Sequence, residues 1–212
     1  MKRMLLCAAL LALASVTLIA QTVPGVVPIN GGRETVALHS QQSTKPWIAP
    51  AANPFYSNLT SAYQCGVGQT LSDGSPINTE YTQGGGFKSA KTGTTKSITV
   101  AIGFVTGTNA ATVTLSKDCK GVPCSSPDGK PALCTGHIKN LPPFGQMCTV
   151  TTTFKCKASL KKGKSYWLNA QTLANSWDAW NWNGAGATGS SLSQDDGAWS
   201  TNAGTQGAFS VQ

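Results

Sequence analysis

The side chains best suited to ligand chemistry lie together in one short stretch that contains Trp177, Asp178, Trp180, Asn181, Trp182 and Asn183. An indole face can stack on the C–H face of a sugar ring, while amide and carboxylate groups hydrogen-bond its hydroxyls. If the stretch is extended, Trp180 and Trp182 share a face with Asp178. Trp177 then points to the opposite face. These residue types suit a polysaccharide-binding surface, but packing of the tryptophans in a sheet core is the favoured interpretation, because a large aromatic residue in a β-sandwich is usually buried.

Residue types that support catalysis are sparse elsewhere in the chain. A glycosidase needs two carboxylic acids at a set separation, and most of the few acidic residues here occur in turn contexts. No G-x-S-x-G nucleophile elbow is present, and His39 and His137 are the only histidines. We therefore expect a non-enzymatic protein without a cofactor. A hydrolase is a further alternative, and it would need Asp178 to converge with Asp195 or Asp196 in one cleft.

Three short motifs resemble known binding or modification signals. Gly84-Gly-Gly86 lacks the Lys-Ser/Thr of a phosphate-binding loop, so we interpret it as a bulge or flexible turn. Asp195-Asp196-Gly197 could offer adjacent carboxylates to Ca²⁺, but it matches no complete Ca²⁺-binding loop and is interpreted as a turn. Asn58-Leu-Thr60 fits the N-glycosylation sequon. From these motifs we predict no metal site.

The first twenty residues have the pattern of a secretory signal peptide. Lys2 and Arg3 form a positive head, residues 4–20 are almost entirely apolar, and a Pro/Gly-rich stretch follows. We predict cleavage after Ala20, with a retained N-terminal membrane anchor as the alternative. Cleavage places the mature protein outside the cytoplasm, secreted or at the cell surface, where disulfides persist. We then expect no membrane contact.

Six cysteines remain after the predicted leader, namely Cys65, Cys119, Cys124, Cys134, Cys148 and Cys156. An even number in an exported chain predicts three disulfides, although six thiols allow fifteen pairings. No C-x-x-C pair occurs, which disfavours a zinc site. Cys148 and Cys156 lie eight residues apart in one strand-like run, where they cannot easily pair with each other.

The charge of the chain is positive and is carried almost entirely by lysine. The formal net charge is +8, and it falls to about +6 when Lys2 and Arg3 leave with the leader. Arg33 is then the only arginine. Because specific nucleic-acid readout depends on arginine forks, we expect no nucleic-acid partner. We interpret the scattered lysines as a solvated surface, with a modest attraction to acidic polymers or cell surfaces.

Alternation of apolar with polar or small residues predicts short strands along most of the chain. The clearest runs are Lys96–Phe104, Ala111–Ser116, Cys148–Cys156, Ser165–Ala170 and Ala208–Val211. The first two runs flank a turn at Gly107–Asn109 and are predicted to form a hairpin. We expect about eight strands in an all-β fold, an antiparallel β-sandwich of jelly-roll or immunoglobulin-like type stapled by disulfides.

The predicted domain covers residues 54–212, and residues 21–53 form a Pro/Gly-rich N-terminal segment or linker. The N-terminal segment could instead pair with the sheet or with a neighbouring chain, which makes self-association an open alternative.

The order of several segments resembles that of a known family of exported domains. These segments are Phe55–Leu59, Ile98–Phe104, Val113–Leu115, Leu141–Gly145, Leu160–Trp167, Ala179–Asn183 and Gly207–Val211. Together they resemble the bacterial "choice-of-anchor" β-sandwich domains that accompany PEP-CTERM and other surface-sorting tails. The resemblance spans about residues 53–212 and implies export and surface association without an enzymatic activity.

Two features of this chain differ from the pattern of those domains. No hydrophobic helix or basic tail follows the last strand-like run, so we expect free secretion or attachment by non-covalent contacts. Cys119 and Cys124 flank the position of a Gly/Pro turn between strands, and a local bridge between them would staple that turn. The remaining four cysteines of the predicted mature chain would pair across strands in an order that the sequence leaves open. The expected role is structural or adhesive, and carbohydrate binding is the alternative.

Overall fold

The computed structural model describes residues 26–29, 33–37, 53–59, 63–73, 77–124, 131–145, 151–195 and 197–212, the first two ranges by backbone alone. Every regular element in these residues is a β-strand, and neighbouring strands pair antiparallel. The described part of the chain contains no helix long and apolar enough to span a membrane. The predicted signal peptide, residues 1–20, lies outside the described residues.

The strands follow one another through short turns and loops. In chain order they are β1 (Val26–Ile29), β2 (Arg33–Ala37), β3 (Tyr56–Ser57), β4 (Gln64–Asp73), β5 (Tyr81–Lys88), β6 (Gly93–Thr94), β7 (Ser97–Val100), β8 (Ile102–Thr106), β9 (Ala110–Lys117), β10 (Cys134–Lys139), β11 (Thr152–Lys155), β12 (Ser159–Leu160), β13 (Ser165–Thr172), β14 (Ser176–Trp182), β15 (Thr188–Gln194), β16 (Ser200–Thr205) and β17 (Phe209–Val211).

Two sheets form the body of the molecule. The larger has eleven strands and curls; its main path is β1-β2-β4-β5-β13-β9-β10, with β14 joining β4 to β8 and β15 joining β5 to β16. The smaller sheet has the order β11-β7-β17-β3, and β12 pairs with β6 separately. The fold is therefore an all-β antiparallel sandwich stapled by disulfides, which confirms the predicted fold class.

One hydrophobic core lies between the two sheets. Ile98 and Val100 of the smaller sheet share it with Val113 and Leu168 of the larger one, and all four are fully buried. Along their strands these residues alternate with residues that point the other way, so that each strand places one face on the core. Phe209 of β17 lies near the centre, with its ring centroid 5.8 Å from that of Trp180.

The predicted hairpin around Gly107 is wrong. Strand β8 pairs with β14, whereas β9 pairs with β10 and β13. Gly107 has a φ of +93°, and a Cβ there would lie 2.4 Å from the carbonyl oxygen of Asn175. This close contact between two turns directs the chain from the neighbourhood of β14 to that of β13. The predicted strand 96–104 is likewise divided at Ala101, with β7 in the smaller sheet and β8 in the larger.

The glycine run Gly84–Gly86 is not a bulge or flexible turn, as the sequence suggested. It lies in the middle of β5 and pairs with β13 on one side and with β15 on the other. Side chains of neighbouring residues fill the space that a Cβ would need: Phe209 lies 2.7 Å from the Cβ position of Gly85. The run is therefore a strand in which glycine permits close packing on both faces.

The disulfides that the structure describes agree with the prediction from the cysteines. Cys119 pairs with Cys124, confirming the local bridge, and Cys134 pairs with Cys156 across 22 residues of sequence. Cys65 is also disulfide-bonded. The sixth predicted cysteine, Cys148, lies outside the described residues.

The N-terminal segment, residues 21–53, contributes two strands to the larger sheet. Strands β1 and β2 pair with each other, with Val26 opposite Val36, and β2 pairs with β4, with Thr35 opposite Gln69. At least these parts of the segment join the sheet of their own chain, which the sequence left open.

Candidate functional site

The tryptophans of β14 are packing residues of the sandwich. Trp177 and Trp180 are 1% and 0% exposed, because neighbouring residues pack over both faces of β14. They point to opposite faces: Trp177 packs with Phe144 and Ala179, whereas Trp180 belongs to the main core. The Trp180 indole N–H donates to the carbonyl oxygen of Ala208 at 3.0 Å. Neither indole offers a face on which a sugar could stack.

The two asparagines of the same stretch bind backbone groups rather than solvent. Asn181 Nδ2 donates to Ala101 O at 2.8 Å, and its Oδ1 accepts the N–H of Gly66 at 3.0 Å. Asn183 Nδ2 donates to Gln206 O at 2.8 Å. Both asparagines are buried, and Trp182 at the end of the strand is half-buried. The amide groups that suited a sugar ligand therefore connect β14 to its neighbouring segments.

Asp178 is a buried carboxyl with one hydrogen-bonded oxygen. Its Oδ2 accepts the Thr172 hydroxyl at 2.6 Å. Burial raises its pKa from 3.8 to about 7, and the hydrogen bonds from Thr172 and the backbone of Val105 oppose that rise only in part. Asp195 is exposed and accepts the N–H of Glu80 at 2.9 Å. The two carboxyls have separate surroundings, and Asp196 lies outside the described residues.

The other sequence motifs do not assemble around these carboxyls. His137 is exposed on β10, and His39 lies outside the described residues. Asn58 of the sequon is 1% exposed, and its amide donates to Gln206 Oε1 at 3.1 Å, so the folded domain does not present this side chain for glycosylation. Within the described residues, no group of three histidine, cysteine or acidic side chains could hold a metal ion.

A set of mostly polar side chains, buried at one end and accessible at the other, lies on the face of the larger sheet that points away from the core. We call it the polar face and define it by Thr112, Thr114, Thr135, His137, Trp167, Asn169, Gln171 and Ser191, from strands β9, β10, β13 and β15. Its members alternate along each strand with core residues such as Leu168 and Ala170.

Strand register places these side chains in rows across the sheet. One row runs from Ser191 through Gly84, Asn169 and Thr114 to Thr135. Residues opposite one another on an antiparallel pair lie about 5 Å apart and project from the same side. The row becomes more exposed along its length, from 0% for Ser191 and 5% for Asn169 to the exposed Thr135. Its outer half is therefore accessible to a ligand.

Cross-strand hydrogen bonds order the outer half of the polar face. Thr112 Oγ1 lies 3.1 Å from His137 Nδ1, and Thr114 Oγ1 lies 3.4 Å from Thr135 Oγ1. Gln171 Nε2 donates to the carboxylate of Glu80 at 2.7 Å. Each hydroxyl can accept further hydrogen bonds in addition to these. The surface thus combines donors and acceptors at fixed spacing, and His137 is the only ionisable member of the defined set.

The inner half of the polar face is closed by Trp167. Its indole lies over β5, where a Cβ on Gly86 would be 3.0 Å from the ring, and its N–H donates to Asp118 Oδ1 at 2.7 Å. The ring is 6% exposed. Because residue 86 is glycine, the Trp167 indole packs directly on the backbone of β5. The indole thus borders the accessible outer half of the polar face.

The sequence predicted the strands that form the polar face, but it did not show that their polar side chains would lie together. The alternations Thr112-x-Thr114 and Asn169-x-Gln171 predicted strands without showing that those strands would be neighbours. Comparison of the chain with protein-family models, with curated proteins and with solved structures gave no match.

Proposed function

We propose that the protein is an exported, non-enzymatic β-sandwich that adheres to uncharged, hydroxyl-rich polysaccharides through its polar face. The observation that carries this proposal is the accessible outer half of the polar face, where the hydroxyls of Thr114 and Thr135 and the amide of Gln171 lie on the side of the sheet away from the core. Hydroxyls and amides serve as donors and acceptors at once, which suits a sugar whose own hydroxyls do the same.

The disulfides support the part of this proposal that concerns location. Cys119–Cys124 and Cys134–Cys156 are compatible with an oxidising extracellular environment, since disulfides rarely persist in a reducing cytosol. The apolar run at residues 4–20 and the resemblance to exported choice-of-anchor domains favour the same location.

The test compares two matched threonine pairs. Thr114→Val with Thr135→Val removes two hydroxyls from the polar face while keeping the β-branched shape. Thr99→Val with Thr153→Val removes a similar hydroxyl pair, 2.8 Å apart, from the smaller sheet. Binding of each purified variant to a panel of neutral polysaccharides would be measured by affinity electrophoresis and calorimetry. We expect the first variant to bind about tenfold more weakly and the second to bind as the unmodified protein does.

Equal weakening by both variants would contradict the proposal, because the smaller sheet lies outside the polar face. A protein that binds none of the neutral polysaccharides would contradict it as well. Far-ultraviolet circular dichroism of both variants checks that a loss of binding is not a loss of folding.

A further inference from the structure

Half of the cationic side chains of the chain lie in two short segments. Residues 88–96 contain three lysines and residues 155–164 contain five, so these segments supply eight of the sixteen lysine and arginine residues. Neither segment contains an acidic residue. We call the surface formed by the two segments the basic end; its lysines are Lys88, Lys91, Lys96, Lys155, Lys157, Lys161, Lys162 and Lys164.

The fold holds the two segments side by side although about 60 residues separate them in sequence. Strands β6 and β12 pair, with Ser159 opposite Thr94. The backbone N–H of Ser89 donates to Lys164 O at 3.0 Å, and that of Thr95 donates to Ala158 O at 2.9 Å. The lysines that the sequence scatters are therefore gathered on one end of the sandwich.

In the second segment, residues 155–164, buried residues alternate with exposed ones, and this alternation directs the lysines to solvent. Cys156, Ala158 and Leu160 are buried at 2%, 5% and 1% exposure and join the main core. Lys155 and Lys157, on either side of Cys156, are exposed, as is the lysine-rich turn that follows Leu160. Buried anchors thus hold the cationic side chains on a rigid backbone.

Seven of the eight lysines are exposed, and Lys91 is half-buried with its ammonium 4.6 Å from the centroid of the Phe55 ring. The carboxylate of Asp118, which directly follows β9, already accepts the Trp167 indole N–H. Positive charges concentrated in this way repel one another and attract anions from solution. A ligand with regularly spaced negative charges would relieve that repulsion at several lysines at once.

A cleft of about 400 Å³ opens at the basic end, lined by residues that include Phe55, Lys91, Thr92, Thr94 and Lys96. Its volume falls within the range of small-ligand sites. The threonine hydroxyls and lysine ammoniums around it match the hydroxyls and acid group of a charged sugar unit. The cleft gives the basic end a shape into which one unit of a polymer can fit.

We infer that the basic end binds an acidic polysaccharide, one that carries carboxylate or sulfate groups along its length. This second surface goes beyond the proposed function, because it uses different residues and a different ligand chemistry from the polar face. Of the described residues, Leu173 is the one exposed large hydrophobic side chain, and it follows the opposite end of β13. The basic end therefore has no apolar side chain to insert into a bilayer, which favours a soluble polymer over a lipid surface.

The experiment measures binding to polygalacturonate and to dextran sulfate, with neutral dextran as the uncharged polymer. The key variants reverse one exposed lysine each: Lys162→Glu at the basic end and Lys139→Glu at the far end of β10, where it pairs with Ala110. Both change the net charge of the chain equally. We expect Lys162→Glu to weaken binding to both acidic polymers about tenfold and Lys139→Glu to change it less than twofold. Triple substitution of Lys157, Lys161 and Lys162 by Gln should weaken binding further, and binding of the unmodified protein should fall steeply with added salt.

Equal losses for the two single reversals would overturn the inference, because they would reflect net charge rather than a site. So would the absence of binding to either acidic polymer, or tighter binding to phosphatidylglycerol vesicles or duplex DNA than to the polysaccharides. The Thr114→Val/Thr135→Val variant should bind the acidic polymers as the unmodified protein does. Neutral-polymer binding thus tests the polar face and acidic-polymer binding tests the basic end, so either can fail alone.

Discussion

Strand β14 and the basic end are each rich in one residue type, but the tryptophan-rich strand is mostly buried whereas the lysines are mostly exposed. Strand β14 is seven residues long and contains three tryptophans, and six of its seven positions are buried. The lysines of residues 155–164 alternate with three buried anchors and remain exposed. A dense aromatic cluster in a β-protein thus contributes to the core, whereas distant lysine segments form a surface. The variants below test whether β14 determines stability and the basic end does not.

The largest expected effect on stability comes from removing a core tryptophan of β14. Trp180 is 0% exposed, packs against Phe209, and lies where a Cβ on Gly207 would be 2.3 Å from its ring. We expect Trp180→Ala to lower the free energy of unfolding by about 3–5 kcal/mol, measured by urea denaturation. Trp182→Ala, at the half-buried end of the same strand, should cost clearly less. Equal costs would show that burial does not distinguish these two tryptophans.

Asp178 makes the stability contributed by β14 dependent on pH. A pKa raised to about 7 means that the folded state binds a proton more tightly than the unfolded state, whose pKa is 3.8. The stabilisation is complete below the unfolded pKa and is lost as pH rises to about 7, by up to about 4 kcal/mol. Asp178→Asn should remove this fall and unfold at higher urea than the unmodified protein at pH 8. Parallel stability curves from pH 4 to 8 for the two proteins would contradict the assignment.

The smallest expected effect lies at the basic end. Replacing Lys157, Lys161 and Lys162 by Gln should change the free energy of unfolding by no more than about 0.5 kcal/mol in the same urea assay, because all three side chains are exposed. A loss of several kcal/mol would mean that their aliphatic stems support the core, and the contrast with β14 would disappear.

The sequence predicted strands best where apolar and polar residues alternate. Strands β9, β13 and β17 coincide with predicted runs, because valine, leucine and phenylalanine alternate there with polar residues. Strand β5 was missed because Gly84–Gly86 has no side chains to show a period, and β15 because three of its four buried positions are serines. The local pattern also could not show that the turn at Gly107 separates two sheet regions.

The candidate surfaces were harder to predict than the fold. For the tryptophan stretch the sequence favoured core packing and left a sugar-binding surface as the alternative, because aromatic and amide residues suit both; the burial of Trp177 and Trp180 agrees with packing. Thr114 and Thr135 become neighbours only through the pairing of β9 with β10. The lysines of residues 88–96 and 155–164 become one surface only through the pairing of β6 with β12. Such long-range pairings are not encoded in any local period of the sequence.

The disulfide between Cys134 and Cys156 has a consequence for how the two surfaces are connected. Cys134 begins β10, which carries Thr135 and His137, and Cys156 lies between two lysines of the basic end. Through the sulfur–sulfur bond, Thr135 is joined to Lys157 by way of Cys134 and Cys156 alone, whereas 21 residues separate them along the backbone. A thiol reductant would remove this short covalent connection and leave the two surfaces joined by the backbone and by strand pairing.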